Sequence, residues 1–173
     1  MKLRIESSMD TTERLQVGIA IYTYKIQKLE EIRQAAQQYN GKVFNKRFVD
    51  LMEGIPDVVA SINRRNSDYL QLTVWSKALD YDYQNLIICW CCEDNFISNK
   101  RFDFSAFSKF MDSIQKGYSE SIAKLQNDIL TGTQRLEKWN ELAREINRLK
   151  ESFSEEFVMY HKYDFDRVSN PRN

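Results

Sequence analysis

The sequence predicts an α+β fold in which three long, bundle-like helices pack with a small three-stranded antiparallel meander. Three observations predict it. Apolar residues recur at helical spacing over residues 11–39, the period shortens to that of strands within 42–100, and helical spacing returns over 105–158. A chain of 173 residues, 42% apolar and 13% aromatic, fits a single domain over 1–173 and can bury a real core.

Asp10 suits an N-cap, and Glu13 three residues later completes a capping-box start. From there Leu15, Ile19, Tyr22, Ile26, Leu29 and Ala36 mark a stripe, and Asn40-Gly41 ends the helix because glycine supplies a left-handed terminal residue. A helix over 11–39 is roughly 43 Å long. Asn45 then caps a short helix through Phe48, Leu51 and Met52, which stops before Gly54-Ile55-Pro56.

Val58 to Ile62 reads as a strand and Arg64-Arg65-Asn66-Ser67 as its turn. From Tyr69 to Trp75, Leu70, Leu72 and Val74 share one face while Tyr69, Gln71, Thr73 and Trp75 take the other. A loop over 76–85 leads to a third strand, Leu86 to Cys91, and the short connections favour an antiparallel meander.

In the helical second half, Phe107, Met111, Ile114, Tyr118, Ile122, Leu125 and Ile129 form one stripe, continued by Leu136, Trp139, Ala143, Ile146, Phe153 and Phe157. An unbroken helix over 105–158 would run roughly 80 Å, against a radius of gyration of about 16 Å for a compact domain of this size. A break at Thr131-Gly132-Thr133, three poor helix formers, is therefore expected, although the stripe keeps its spacing across it. The tail 159–173 alternates apolar and polar residues as an extended segment does. The core is expected at Leu15, Ile19, Ile26, Leu72, Val74, Ile88, Ile114, Ile129, Trp139 and Ile146.

The charge is balanced at 25 basic and 25 acidic residues, which argues against both a strongly cationic nucleic-acid clamp and an acidic nucleic-acid mimic. No apolar run is long enough to span a bilayer, and Met1 to Glu6 lacks a signal-peptide core. The three cysteines, Cys89, Cys91 and Cys92, cannot form a disulfide framework, so a reduced, cytoplasmic setting without a membrane partner is expected.

No catalytic set assembles. One histidine, His161, serves the whole chain, and there is no Gly-x-Ser-x-Gly elbow, phosphate loop or dinucleotide fingerprint. His161 and the cysteines lack zinc-knuckle spacing, since Cys89 and Cys91 face one side of a strand and Cys92 the other. Cysteine as a small buried hydrophobe is the simpler reading, with no metal or cofactor. The acid pairs Asp80/Asp82, Glu93/Asp94 and Asp164/Asp166 fall in loops or the tail, where solvated carboxylates are ordinary.

The candidate binding residues are basic and aromatic. Lys42, Lys46 and Arg47 cluster, Arg64 and Arg65 share a turn, and Lys100 and Arg101 repeat the first cluster's wording, since Asn-Lys-Arg-Phe occurs at 45–48 and 99–102. Converging in space, they could neutralise phosphates or meet an acidic partner; apart, they are solvated charges. Tyr81 and Tyr83 occupy a loop where an aromatic can anchor an interface, stack on a base or fold back onto the helices.

The order helix, Gly41-Lys42-Val43-Phe44-Asn45-Lys46-Arg47-Phe48, short helix and β-hairpin resembles small proteins of phages and mobile elements of Gram-positive gut bacteria. There the junction often reads Asp-Gly-Lys-Val followed by Asn-Lys-Arg; Asn40 stands here where the Asp usually is. The resemblance covers residues 10–75 and carries over no catalytic residue. It implies a setting in which small folded proteins bind host or defence machinery. The expectation is thus a non-catalytic protein-binding accessory factor, an anti-defence inhibitor acting on a host or defence-system protein. The alternative is a nucleic-acid-binding protein, or one that binds a protein–nucleic-acid complex, using the basic clusters. Heptad-like stripes also allow a homodimer.

Overall fold

A computed structural model describes residues 9–64, 69–80, 82–93 and 101–151, with the backbone alone at Arg64, Tyr69, Asp82, Glu93 and Lys150. The elements are α1 (Thr11–Gln37), α2 (Lys46–Glu53), β1 (Val58–Arg64), β2 (Tyr69–Ser76), α3 (Asp82–Asn85), β3 (Leu86–Glu93) and α4 (Phe104–Lys150). The class is α+β, with two long helices and one of two turns rather than three long ones. The chain divides into two compact units, Met1–Leu125 and Gln126–Asn173.

In the first unit, α1 starts as its sequence predicts. The Asp10 side chain accepts from the Glu13 N–H at 2.7 Å, and the Glu13 carboxylate accepts from the Asp10 N–H at 3.3 Å. The helix ends near the expected place, and Gly41 adopts a φ of 72°, which costs glycine nothing. Asn45 caps α2 by accepting from the Arg47 N–H at 2.9 Å.

The sheet runs β1-β2-β3, antiparallel throughout, with Ile62 opposite Leu72 and Leu72 opposite Trp90. The inward residues Val58, Ala60, Leu72, Val74, Ile88, Trp90 and Cys92 are buried. The register shifts between Val74 and Trp75, whose partners are Ile88 and Leu86, and this irregularity lets Ile87 and Ile88 both be buried. The loop expected over 76–85 contains the single turn α3. Leu29, Ile32 and Ala36 of α1, Phe48 and Met52 of α2, and Phe107 and Met111 of α4 complete one core with the sheet.

Two expectations need correction. Of the predicted core residues, Leu72, Val74 and Ile88 are buried, while Leu15, Ile19, Ile26, Ile114, Ile129, Trp139 and Ile146 are half-buried. On α1 the buried set is Gly18, Ile21, Lys25, Lys28, Leu29, Ile32 and Ala36, rotated from the aliphatic stripe so that two lysines lie inside. The rotation brings α1 close to α4: a Cβ on Gly18 would lie 3.0 Å from Leu125 Cδ1.

The second correction concerns the helix break. Thr131, Gly132 and Thr133 are helical within α4, and the Thr133 hydroxyl donates to the Ile129 carbonyl at 3.1 Å. Helix propensity is a weak prior of at most about 1 kcal/mol per residue, which a cooperative helix outweighs. In the second unit, the described part is the C-terminal stretch of α4. There Arg148 pairs with Glu145 at 3.0 Å, Ala143 is buried, and Leu130 and Leu142 are exposed. The C-terminal end of the predicted helix and the extended tail lie outside the described residues.

Leu72 is fully buried at the centre of the sheet. Leu72→Ala should cost about 2–5 kcal/mol in urea unfolding; a loss well below 1 kcal/mol would contradict its place in the core. Gly132 is exposed, and a Cβ added there would meet nothing within 4 Å. Gly132→Ala should therefore stabilise the protein by up to about 1 kcal/mol, whereas destabilisation would mean that the chain turns there.

Candidate functional site

The candidate site is a basic face built where α1 hands over to α2 and where α4 begins. Past α1, the chain crosses the segment that precedes α4, with Val43 bridged to Arg101 in antiparallel sense. The Gly41 N–H donates to the Phe102 carbonyl at 2.9 Å, and the Phe102 N–H donates to the Lys42 carbonyl at 2.8 Å. The Phe104 N–H donates to Asn40 Oδ1 at 3.1 Å, while Asp103 Oδ1 accepts from the N–H groups of Ser105 and Ala106 to cap α4. This clasp joins residues some sixty positions apart.

Tyr39 fixes the clasp from beneath. Its hydroxyl donates to the Val43 carbonyl at 2.7 Å and lies 3.2 Å from Asn45 Oδ1, the acceptor that caps α2. Burial raises the Tyr39 pKa, with Arg47 pulling it down and Asp50 pushing it up, so the hydroxyl keeps its proton at neutral pH. Lys42 Nζ sits 5.6 Å from the centre of the same ring.

Lys42, Lys46, Arg47 and Arg101 are all exposed on these segments. Arg101 donates to the Gly41 carbonyl at 2.6 Å, which orients its guanidinium without neutralising it. None of the four forms an ion pair among the described residues. The structure thus brings together the first and third basic clusters through Lys42 and Arg101, with Lys46 and Arg47 on the adjoining first turn of α2. The phenylalanines that end the two Asn-Lys-Arg-Phe copies meet in the core as well, since the Phe48 and Phe102 rings lie 4.7 Å apart.

Other sequence candidates fall elsewhere. Arg65, Tyr81 and Lys100 lie outside the described residues, as does the Arg64 side chain, although the Arg64 backbone ends β1 opposite Leu70. Tyr83 on α3 is 93% exposed, and its carbonyl accepts from Lys25 at 3.2 Å. Lys25 lies about 18 Å along α1 from the end of that helix, so Tyr83 is remote from the basic face. Cys92 is buried, but Cys89 and Cys91 are exposed on the outer face of β3, which corrects their reading as small buried hydrophobes. His161 lies outside the described residues, and no three His, Cys, Asp or Glu side chains gather to hold a metal among the described ones.

Sequence reasoning missed the lysines inside α1. Lys25 Nζ lies 5.7 Å from the Tyr22 ring centre and 5.3 Å from that of Tyr118. Tyr118 itself donates to the Ile87 carbonyl at 3.0 Å, and its pKa is pushed up to about 12, first by burial and then by Tyr22. Lys28 pairs with Glu31 at 2.7 Å and lies 5.6 Å from the Tyr24 ring centre. The Tyr24 hydroxyl shares a 2.8 Å hydrogen bond with Ser76 Oγ, at the edge of an open depression of about 410 Å³ lined by Val59, Trp75, Lys77 and Asn85. The only signal in the sequence was Tyr22, Lys25 and Lys28 standing three residues apart, which also describes a solvated face.

No protein-family model matches the chain, and none of the curated proteins or solved structures matches it significantly. Among the described residues, no helix is long and apolar enough to cross a membrane.

Burial lowers the Lys25 pKa from its ordinary 10.5, because desolvation disfavours the ammonium. Between the lowered folded pKa and 10.5 the unfolded chain binds more protons, so Lys25 makes stability rise with pH in that window. Lys25→Met should remove that rise, and the difference in urea midpoint between wild type and variant should shrink or change sign from about pH 7 to about pH 10. Parallel curves across this range would show that the ammonium is not desolvated.

Proposed function

We propose that this chain is a non-catalytic binding module that docks an acidic protein surface through Lys42, Lys46, Arg47 and Arg101. The observation that carries the reading is four exposed cations, drawn from two distant segments and held on a hydrogen-bonded clasp without an ion pair among the described residues. Isolated surface lysines are ordinarily solvated and carry no such meaning. A preorganised group costs less ordering on binding and favours a complementary negative partner in rate and specificity. Exposed Val43, next to Lys42 and bridged to Arg101, adds apolar area that an extended phosphate backbone does not need.

The absence of an assembled nucleophile or acid–base pair in the sequence supports the non-catalytic part of the reading. The resemblance to phage and mobile-element proteins supports a host or defence-system protein as the partner and an inhibitory role. The same unpaired cations also favour a second reading, in which the face meets nucleic acid phosphates.

Lys42→Glu, Lys46→Glu and Arg47→Glu together reverse the face while sparing Arg101, which bonds the backbone. Affinity purification from a bacterial host with the wild-type chain should recover a stoichiometric acidic protein. The triple variant should lose it while keeping its thermal midpoint within a few degrees, about the size of a 1 kcal/mol change. Equal recovery by both proteins would sink the proposal. The nucleic-acid reading demands instead a retarded band at low salt, with log affinity falling against log salt at a slope of about −3.6 for four duplex phosphates.

A further inference from the structure

We propose that Cys89 and Cys91 form a two-thiolate site for a soft monovalent metal ion, Cu(I) in its linear coordination. Both side chains are exposed on the outer face of β3, the last strand of the sheet among the described residues, while Cys92, next along the strand, turns into the core. Residues two apart on a strand lie about 6.7 Å apart at Cα, with their Cβ bonds pointing the same way. That geometry disfavours a disulfide, which needs Cβ atoms within about 4.5 Å of each other. Closing one would pull Cys89 and Cys91 out of register with Thr73 and Gln71, their partners on β2.

A bridging metal has no such difficulty. Two metal–sulfur bonds of about 2.3 Å each set the sulfurs about 4.6 Å apart. Rotation about the side-chain bonds brings the sulfurs to that distance with the strand left flat. The pair is therefore held open against its own oxidation and spaced for an ion between the sulfurs.

The surroundings select the ion. The Gln71 side-chain N–H donates to Cys89 Sγ at 2.9 Å, which holds that sulfur on the outer face of the sheet. The cross-strand neighbours Gln71, Thr73 and Ser61 are neutral. Among the described side chains the donor set is the two sulfurs, a number that suits a two-coordinate ion rather than tetrahedral zinc. Thiolates prefer soft ions, and Cu(I) is content with two. Binding releases both thiol protons and leaves a complex of net charge −1, with no change in the oxidation state of copper or sulfur.

The test is anaerobic titration of the full chain into Cu(I) held by bathocuproine disulfonate, read by loss of the chelator's colour. The wild type should withdraw one Cu(I) per chain. Cys89→Ser and Cys91→Ser should each weaken binding by roughly 100-fold or more, and Cys92→Ala should not, with all three variants keeping the wild-type circular dichroism. Failure of the wild type to withdraw copper, or undiminished binding by Cys89→Ser, overturns the proposal. So does one copper per two chains, which would place the metal between strands of different copies.

Discussion

The Phe102 ring is the contact on which the first unit depends. It lies 4.7 to 6.4 Å, centre to centre, from the rings of Phe48, Phe107, Phe44, Tyr39 and Trp90, and so joins α1's exit, α2, β3 and the start of α4. Aromatic pairs contribute about 0.5–1.5 kcal/mol each beyond the area they bury. A hub with five partners is worth several of them only if its backbone is placed first. That placement comes from the paired hydrogen bonds between Phe102 and the Gly41–Lys42 backbone. Packing beneath and hydrogen bonding above hold the same residue, and neither works alone.

The basic face follows from that arrangement. Phe48 and Phe102 are the last residues of two identical tetrapeptides, and burying both rings side by side leaves Lys46, Arg47 and Arg101 on the surface. The exposed cations are thus a by-product of core packing before they are a binding feature. Each lies within one residue or one helical turn of a core group: Lys42 and Arg101 beside the backbone bonds of Phe102, Lys46 and Arg47 beside the buried Phe48.

The far end of α1 solves a different problem. Its buried face is interrupted by Lys25 and Lys28, whose ammonium groups find tyrosine faces, a carbonyl and Glu31 instead of water. Tyrosine suits this because its ring is apolar while its face is electron-rich. The arrangement retains part of the desolvation cost, seen in the lowered Lys25 pKa. Long stems on these lysines also contribute apolar packing that short polar residues would not.

How much was legible in the sequence depended on the range of the interaction. The capping box at Asp10 and Glu13, the Asn45 cap, the glycine turn at Gly41 and the two-residue alternation of β2 are set within a few residues of themselves. Each could therefore be read directly, and so could the antiparallel meander, because short connections leave few alternatives. The rotation of α1 could not be read, since it turns on Lys25 finding Tyr118 more than ninety residues away, and lysine in a pattern reads as surface. The continuity of α4 past Gly132 was hidden because cooperative helix formation outweighs three locally poor residues. Likewise Asn-Lys-Arg-Phe was visible twice in the sequence, but only the tertiary structure decided that its two phenylalanines meet. Hydrogen bonds between segments sixty residues apart leave no local pattern, and which cations share a face is settled by those bonds alone.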